Sequence, residues 1–423
     1  MQPIFAFRLV AFFLMSAYST EDEVIGGGAI NEKRRNTQHE RTSTSTSTLA
    51  PGSAHTEGTT NSSRSFFDRN KLSHSLHAMV GLDRYPNYLS RWNNSEDLDE
   101  LEATLEQQLE LVRAQKKNIL TWRDDAYKIV QKANLLEEHM LRPPETWEEL
   151  TDLLDPLAAR SILNKRFFQR YNDLPVDEII GGCKKCRNIH LDPGPLEDWI
   201  DIIVFDVYSM PVFKKEICRK IKNVIARFTE LAAEEENAMG KQYEARMLPR
   251  KCPVDLDTVG LGWINNLLLN LIMRPLSRHL YEETECKGEL DWRQGYVAGY
   301  SNVPSASAGL TRDHLVAHTD DSEVTLNMCV GDEFGGGELE FRGLRGTRDE
   351  NKLLGQYKHE LGKALLHSGR HLHAVTRVTS GERYVLIVWG RSWQGIRSIS
   401  CPCCWLNRRQ DDTATCICGP IWN

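Results

Sequence analysis

From residue 296 to residue 393 the chain reads as a series of short strands broken by turns, and this stretch limits the fold more than any other. Apolar and β-branched runs fall at 296–300, 315–317, 323–329, 337–341, 363–366 and 384–389. Gly335-Gly336-Gly337 and Thr379-Ser380-Gly381-Glu382 supply turn chemistry between them. Short runs of this kind bury their apolar faces only by closing on themselves or on a second sheet, so an antiparallel barrel or double-sheet sandwich is expected. The residues ahead of it read differently. Leu98, Leu101, Leu105, Val112, Ile119 and Ala126 fall near one helical stripe from about 96 to 141. Gln108 and Gln115 at its seam favour a helix packed on the following domain over a coiled coil. Pro143-Pro144 is expected to stop it, Thr146 and Glu149 to form a capping box, and 216–236 and 263–281 to be helices. The class is therefore α+β.

Residues 21–75 are rich in Ser, Thr, Asn, Gly and charge, with a Ser-Thr repeat at 43–48. They cannot bury enough apolar surface to offset the entropy of ordering, and are read as disordered. Ahead of them, Leu9 to Ala17 follows Arg8 and resembles a short signal peptide, too short to span a bilayer core of about 30 Å. The expected compartment is the secretory pathway or endoplasmic reticulum if that segment is a signal peptide, and the cytoplasm otherwise. The sequons at Asn61 and Asn93 carry meaning only in the first case. The organisation is then 1–20 a signal-peptide-like segment, 21–75 low complexity, 76–199 mainly helical, 200–395 a domain with its strand-rich core at 296–393, and 396–423 a Cys-rich tail.

A net charge of −7 without a basic stripe argues against a nucleic-acid partner, and no transmembrane span is expected. Eleven cysteines do not decide the redox compartment. Cys183 and Cys186 form a C-x-x-C, and Cys401, Cys403, Cys404, Cys416 and Cys418 crowd the C-terminus. The tail is read as free thiols or local disulfides, with a structural zinc site as the sharper alternative.

Within the strand region, His318-Thr319-Asp320 places an imidazole and a carboxylate two residues apart, so both project to one side of an extended strand end. His373, from a separate strand, would complete a two-histidine, one-carboxylate set that grips Fe(II) and leaves positions open. Arg383 lies beyond the Gly381 turn, where a returning strand would set it beside His373. Its guanidinium would offer bidentate hydrogen bonds to the carboxylate of a metal-chelating keto acid. His314, His359, His367 and His371 lie near these residues and are read as surface or supporting groups rather than ligands.

The stretches from His318 to Asn327, Phe334 to Phe341, His367 to His373 and Gly381 to Trp389 resemble 2-oxoglutarate- and Fe(II)-dependent dioxygenases of the prolyl 4-hydroxylase and lysyl hydroxylase type. Within that type they are most similar to the 2-oxoglutarate and iron-dependent oxygenase domain-containing protein 2 family. The resemblance extends to Met210-Pro-Val-Phe213 and to Ser398 through Cys404, so it runs from about 200 to 405. It implies a double-stranded β-helix (jelly-roll) core in which His318, Asp320 and His373 bind iron. Arg383 would bind the distal carboxylate of 2-oxoglutarate, and Tyr300 and Asn327 would help hold that co-substrate. The chain departs from the family pattern at Thr319 and in the Ser-rich loop 301–312.

The resemblance further implies oxidative decarboxylation of 2-oxoglutarate, consuming O2 and releasing succinate and CO2. A C–H bond of a protein or peptide side chain is hydroxylated, with L-ascorbate as reductant. Substrate identity and oligomeric state stay open, and selectivity is expected in loops 301–312 and 342–362. Two other classes remain: an inactive jelly-roll interaction module, and a cupin-like metalloprotein that uses no keto acid. The triad together with Arg383 speaks against both.

Overall fold

The structure, a computed structural model, describes residues 95–392 apart from 172, 182–184, 240–252, 282–289, 304–309, 311, 333 and 346. The signal-peptide reading, the low-complexity segment, Cys183 and the C-terminal cysteines lie outside the described residues. The chain divides into two compact units, 1–109 and 110–423.

Helix α1 (Ser95–Lys132) ends earlier than its periodicity suggests. Asn134 takes a left-handed φ of 51°, which asparagine tolerates better than most residues, and only the short α2 (Leu135–Glu138) follows. The Pro143-Pro144 pair is therefore not what stops the helix. Thr146 does cap α3 (Trp147–Leu153), its Oγ1 accepting the Glu149 N–H at 3.2 Å. The Glu149 carboxylate reaches back one residue further than a capping box requires, accepting the Glu145 N–H at 2.7 Å. Helices α4 (Pro156–Ile162), α5 (Lys165–Tyr171), α6 (Val176–Ile180) and α7 (Pro193–Glu197) follow. Asp155 caps α4, with proline at its first turn.

Helix α8 (Lys215–Met239) buries Ile217, Cys218, Ile221, Val224, Ile225, Phe228 and Ala232, one face at three- and four-residue spacing. The Leu-rich segment is α9 (Gly262–Leu267), a widened π-type stretch Leu268–Met273, and α10 (Arg274–Leu280). The widening lies just ahead of Pro275, which has no N–H to give the preceding turn. No helix among the described residues is long and apolar enough to cross a membrane.

Strands β1 (Asp201–Val204), β2 (Val207–Pro211), β3 (Val254–Asp255), β4 (Trp292–Ser301), β5 (Leu315–His318), β6 (Val324–Cys329), β7 (Phe334–Gly336), β8 (Leu339–Leu344), β9 (Leu353–Tyr357), β10 (Lys363–Ser368), β11 (His371–Val375) and β12 (Val378–Arg391) form two antiparallel sheets. The larger runs β1-β2-β10-β6-β12-β4-β3, with β7 paired to β12, and the smaller runs β5-β11-β8-β9.

The large sheet is covered on both faces. Val297, Leu326, Leu366, Leu386 and Val388 pack with the helices, whereas Ala298, Tyr300, Leu365, Val385 and Ile387 pack with Leu339, Phe341 and Val375 of the small sheet. Double coverage is why the second half of β12 reads as an unbroken apolar run, whereas β6 alternates, its polar Thr325 and Asn327 facing the space between the sheets. The fold is thus mixed helix and antiparallel sheet, as expected.

Three local readings differ. The strand expected at 337–341 begins only at Leu339, as β8, because Gly336 and Gly337 take φ of 70° and 69°, and Phe334–Gly336 ahead of them forms the separate β7. The stretch 342–362 is not one loop, because it contains β9. The turn expected at Thr379–Glu382 is instead the interior of β12, and the chain leaves β11 for the opposite sheet at Thr376-Arg377.

Asp206, in the β1–β2 turn, is buried at a φ of 58°, and its Oδ2 has no hydrogen-bond partner. Burial pushes its carboxyl up to about 6. The folded chain holds a proton there that the unfolded chain releases nearer pH 4, so stability falls as pH rises between about 4 and 6. The penalty at neutral pH is about 2–3 kcal/mol. Asp206→Asn, which suits a left-handed φ, should recover most of it at neutral pH and nothing below about pH 4. Urea unfolding of both proteins at the two pH values checks this; an equal gain at both would show that ionisation is not the cause.

Candidate functional site

The side chains facing the space between the sheets follow from strand alternation. On β12 they are Arg383, Val385 and Ile387; on β6, Thr325 and Asn327; on β11, His371, His373 and Val375. His318, at the end of β5, is the cross-strand partner of His373, and their ring centroids lie 4.3 Å apart. Asp320 follows two residues later, its backbone N–H donating to the Gly369 carbonyl at 2.9 Å. Its Oδ1 is 3.6 Å from His318 Nε2 and its Oδ2 is 3.8 Å from His373 Nε2. One donor atom from each of the three lies within 4.8 Å of the others.

Both imidazoles are held in the tautomer a metal needs. His318 Nδ1 sits 2.9 Å from the Val316 carbonyl and His373 Nδ1 2.9 Å from the His371 carbonyl. A carbonyl only accepts, so each Nδ1 carries the proton and each Nε2 keeps its lone pair. The Asp320 carboxylate accepts the Thr325 hydroxyl at 2.7 Å, and Thr325 is in turn 2.7 Å from Ser322 Oγ. Phe341 stacks on His373 at 5.9 Å between centroids. Burial pushes His373 down to about 3, opposed in part by Asp320. Burial also raises the Asp320 carboxyl, but the three imidazoles of His373, His318 and His367 and the Thr325 hydroxyl outweigh it, leaving it below its ordinary value. Two neutral nitrogens and one carboxylate oxygen suit a first-row divalent ion.

Arg383 is completely buried on β12, opposite Tyr300 of β4, with its guanidinium 5.1 Å from the centre of the Tyr300 ring. Its Nη2 donates to His359 Nδ1 at 3.0 Å, while Nε and Nη1 have no partner. A buried cation with unsatisfied donors costs several kcal/mol unless an anion meets it. Gly337 makes the space: a Cβ there would lie 2.7 Å from Arg383 Cδ. Asn327, between Leu365 and Ile387 in the sheet, is buried with its Oδ1 unpartnered. Gly337, beside Arg383, stands two residues ahead of β8, and Phe341, stacked on His373, lies within it.

All six sequence-selected residues thus face one intersheet space, but Arg383 arrives from an unexpected side. It is not on a hairpin return beside His373, because β11 and β12 lie in different sheets. Of the four neighbouring histidines, only His314 is near the surface, paired with Asp313 at 2.5 Å. His359, His367 and His371 are buried, and His367 Nε2 lies 4.0 Å from Asp320 Oδ2. Thr325 and His359 were not selected from the sequence. Thr325 could have been, since it shares the strand face of Asn327. His359 lies just past β9, in a polar stretch without a motif.

No family model matches the chain. It is 34% identical over 197 residues to the 2-oxoglutarate and iron-dependent oxygenase domain-containing protein ICU11 of Arabidopsis thaliana, which covers 44% of this chain and 45% of that protein. It is 25% identical over 294 residues to 2-oxoglutarate and iron-dependent oxygenase domain-containing protein 2 of Danio rerio, covering 67% of this chain and 76% of that protein. The chain spans about half the length of the curated relatives it matches at 30% identity or more. Among solved structures, a Pseudomonas putida prolyl-4-hydroxylase matches 44% of this chain and 88% of its own at 14% identity, with a TM-score of 0.25 that carries no weight for the fold. By sequence, then, the chain is similar over about half its length to 2-oxoglutarate and iron-dependent oxygenase domain-containing proteins.

Proposed function

We propose that the chain is a 2-oxoglutarate- and Fe(II)-dependent dioxygenase on a double-stranded β-helix core, hydroxylating a C–H bond of a protein or peptide side chain with release of succinate and CO2. The observation that carries this reading is the pairing, across one intersheet space, of a His-Asp-His donor set with a buried arginine whose Nε and Nη1 lack partners. A metal site alone would suit many chemistries. The buried cation at a distance restricts the ligand to one with a second anionic end.

His318, Asp320 and His373 would hold the iron, which when bound supplies the chelation and redox chemistry that couples O2 to keto-acid decarboxylation. The Val316 and His371 carbonyls keep both rings in the ligating tautomer, and Thr325 aims the carboxylate. Arg383 and Tyr300 would receive the distal carboxylate, and the Asn327 side-chain amide N–H would donate to an oxygen of the acceptor-only co-substrate. Val385, Ile387, Leu339 and Phe341 exclude water from the space between. Ascorbate would serve as the external reductant.

The peptide class rests on β5. Its only strand partner among the described residues is β11, which leaves it at the edge of the small sheet beside His318, with Val316 exposed. An extended peptide can add along such an edge. The full chain, incubated with Fe(II), 2-oxoglutarate, ascorbate and a peptide panel, should add one oxygen atom to a subset of peptides, read by mass spectrometry. Oxygen transfer to small molecules while every peptide and protein stays unmodified would contradict the substrate class.

A further inference from the structure

We propose that His359 is a positioning residue for Arg383, holding the guanidinium in the one orientation that receives a distal carboxylate. This rests on the 2-oxoglutarate reading above and names a residue that reading does not use. His359 lies two residues beyond β9, in the connection to β10, and is buried. Its Nδ1 lies 3.0 Å from Arg383 Nη2. A guanidinium only donates, so Nδ1 is the acceptor and the proton sits on Nε2. Burial, and then the Arg383 charge, keep the ring well below its ordinary pKa, consistent with a permanent neutral acceptor.

The ring is itself braced. Tyr357 meets it edge-on at 5.6 Å, and the Tyr357 hydroxyl lies 2.8 Å from Ser209 Oγ on β2. This line of contacts ties the end of a long, rotamer-rich side chain to the frame of the large sheet. On the other side Gly337 packs against Arg383 Cδ and Tyr300 against the guanidinium face. With one Nη2 proton taken by a neutral ring, Nε and Nη1 are the donors left without partners. Affinity then comes from an arginine ordered before the ligand arrives, because binding does not have to freeze it. His359 adds no charge and touches no reacting atom.

The test is equilibrium binding of 2-oxoglutarate and of oxalate to the Mn(II)-loaded full chain. Oxalate chelates a metal but has no distal carboxylate to reach Arg383. H359L and H359F, which cannot accept, should each lose about tenfold or more in 2-oxoglutarate affinity and leave oxalate affinity unchanged. H359N, whose Oδ1 can stand where Nδ1 stood, should return 2-oxoglutarate affinity to within about threefold of wild type. Wild-type affinity for 2-oxoglutarate in the non-accepting variants, equal losses for both ligands, or an H359N no better than H359L would each overturn the proposal. A wild-type chain that binds oxalate but not 2-oxoglutarate would instead overturn the reading beneath it, whatever the variants do.

Discussion

Arg383→Ala is expected to weaken 2-oxoglutarate binding by roughly a hundred- to several-thousand-fold. Removing one partner from a buried ion pair costs about 3–5 kcal/mol, chiefly because the other charge stays desolvated and alone. Here the abandoned charge would be the ligand's distal carboxylate, buried without a cation beside Tyr300 and the neutral His359. Lysine is a poor substitute, since a point charge replaces a planar fork and loses both the His359 bond and the stacking on Tyr300. In the ligand-free protein the sign reverses. Arg383 there is a buried cation with two unpartnered donors, so Arg383→Met should raise thermal stability while it removes 2-oxoglutarate binding. Unchanged dependence of succinate release on 2-oxoglutarate concentration in Arg383→Ala would remove the arginine from the site.

The second large effect is at the metal. Asp320→Ala should lower Fe(II) affinity more than a hundredfold, beyond the 10- to 100-fold typical of losing a supporting group, because it removes the only anionic donor of the three. Asp321, the adjacent carboxylate, is not free to replace it. Its Oδ2 is bonded at 2.8 Å to Arg391 Nη2, and the Arg391 guanidinium lies 4.4 Å from the Trp292 ring centre. Competition with a metal chelator measures the loss. One Fe(II) per chain retained by Asp320→Ala at wild-type affinity would mean that the donor set is assigned wrongly.

How far the sequence reached into this site depends on how local each relation was. The His318-x-Asp320 spacing is a property of one strand end, so it could be read directly. So could the strand character of 384–389, whose apolar run reflects burial on both faces, and of 324–329, whose apolar and polar residues alternate. That His373 stands opposite His318 is a matter of register between β11 and β5, which no spacing encodes. Arg383 shows the same boundary. Its odd-numbered partnership with Val385 and Ile387 is local and places it on the cavity face. The crossing from one sheet to the other is made at Thr376-Arg377, which carries neither glycine nor proline, so the visible signal at Gly381 drew the turn to the wrong place.

The elements that went unread share a cause. β2, with β1 paired to it, joins the large sheet by pairing with β10, far along the chain, and β9 is an edge strand of the small sheet. Their positions are set by tertiary contacts rather than by their own pattern. His359 follows β9, and its place against Arg383 became visible only once that strand was located.

The most direct test is succinate formation by the full chain with Fe(II), 2-oxoglutarate and O2, run beside Asp320→Ala. Succinate that appears only when all three are present, and is lost in the variant, is the predicted result. No succinate above background from a folded, iron-loaded wild-type chain supplied with its peptide panel, or equal succinate from the variant, would contradict the account.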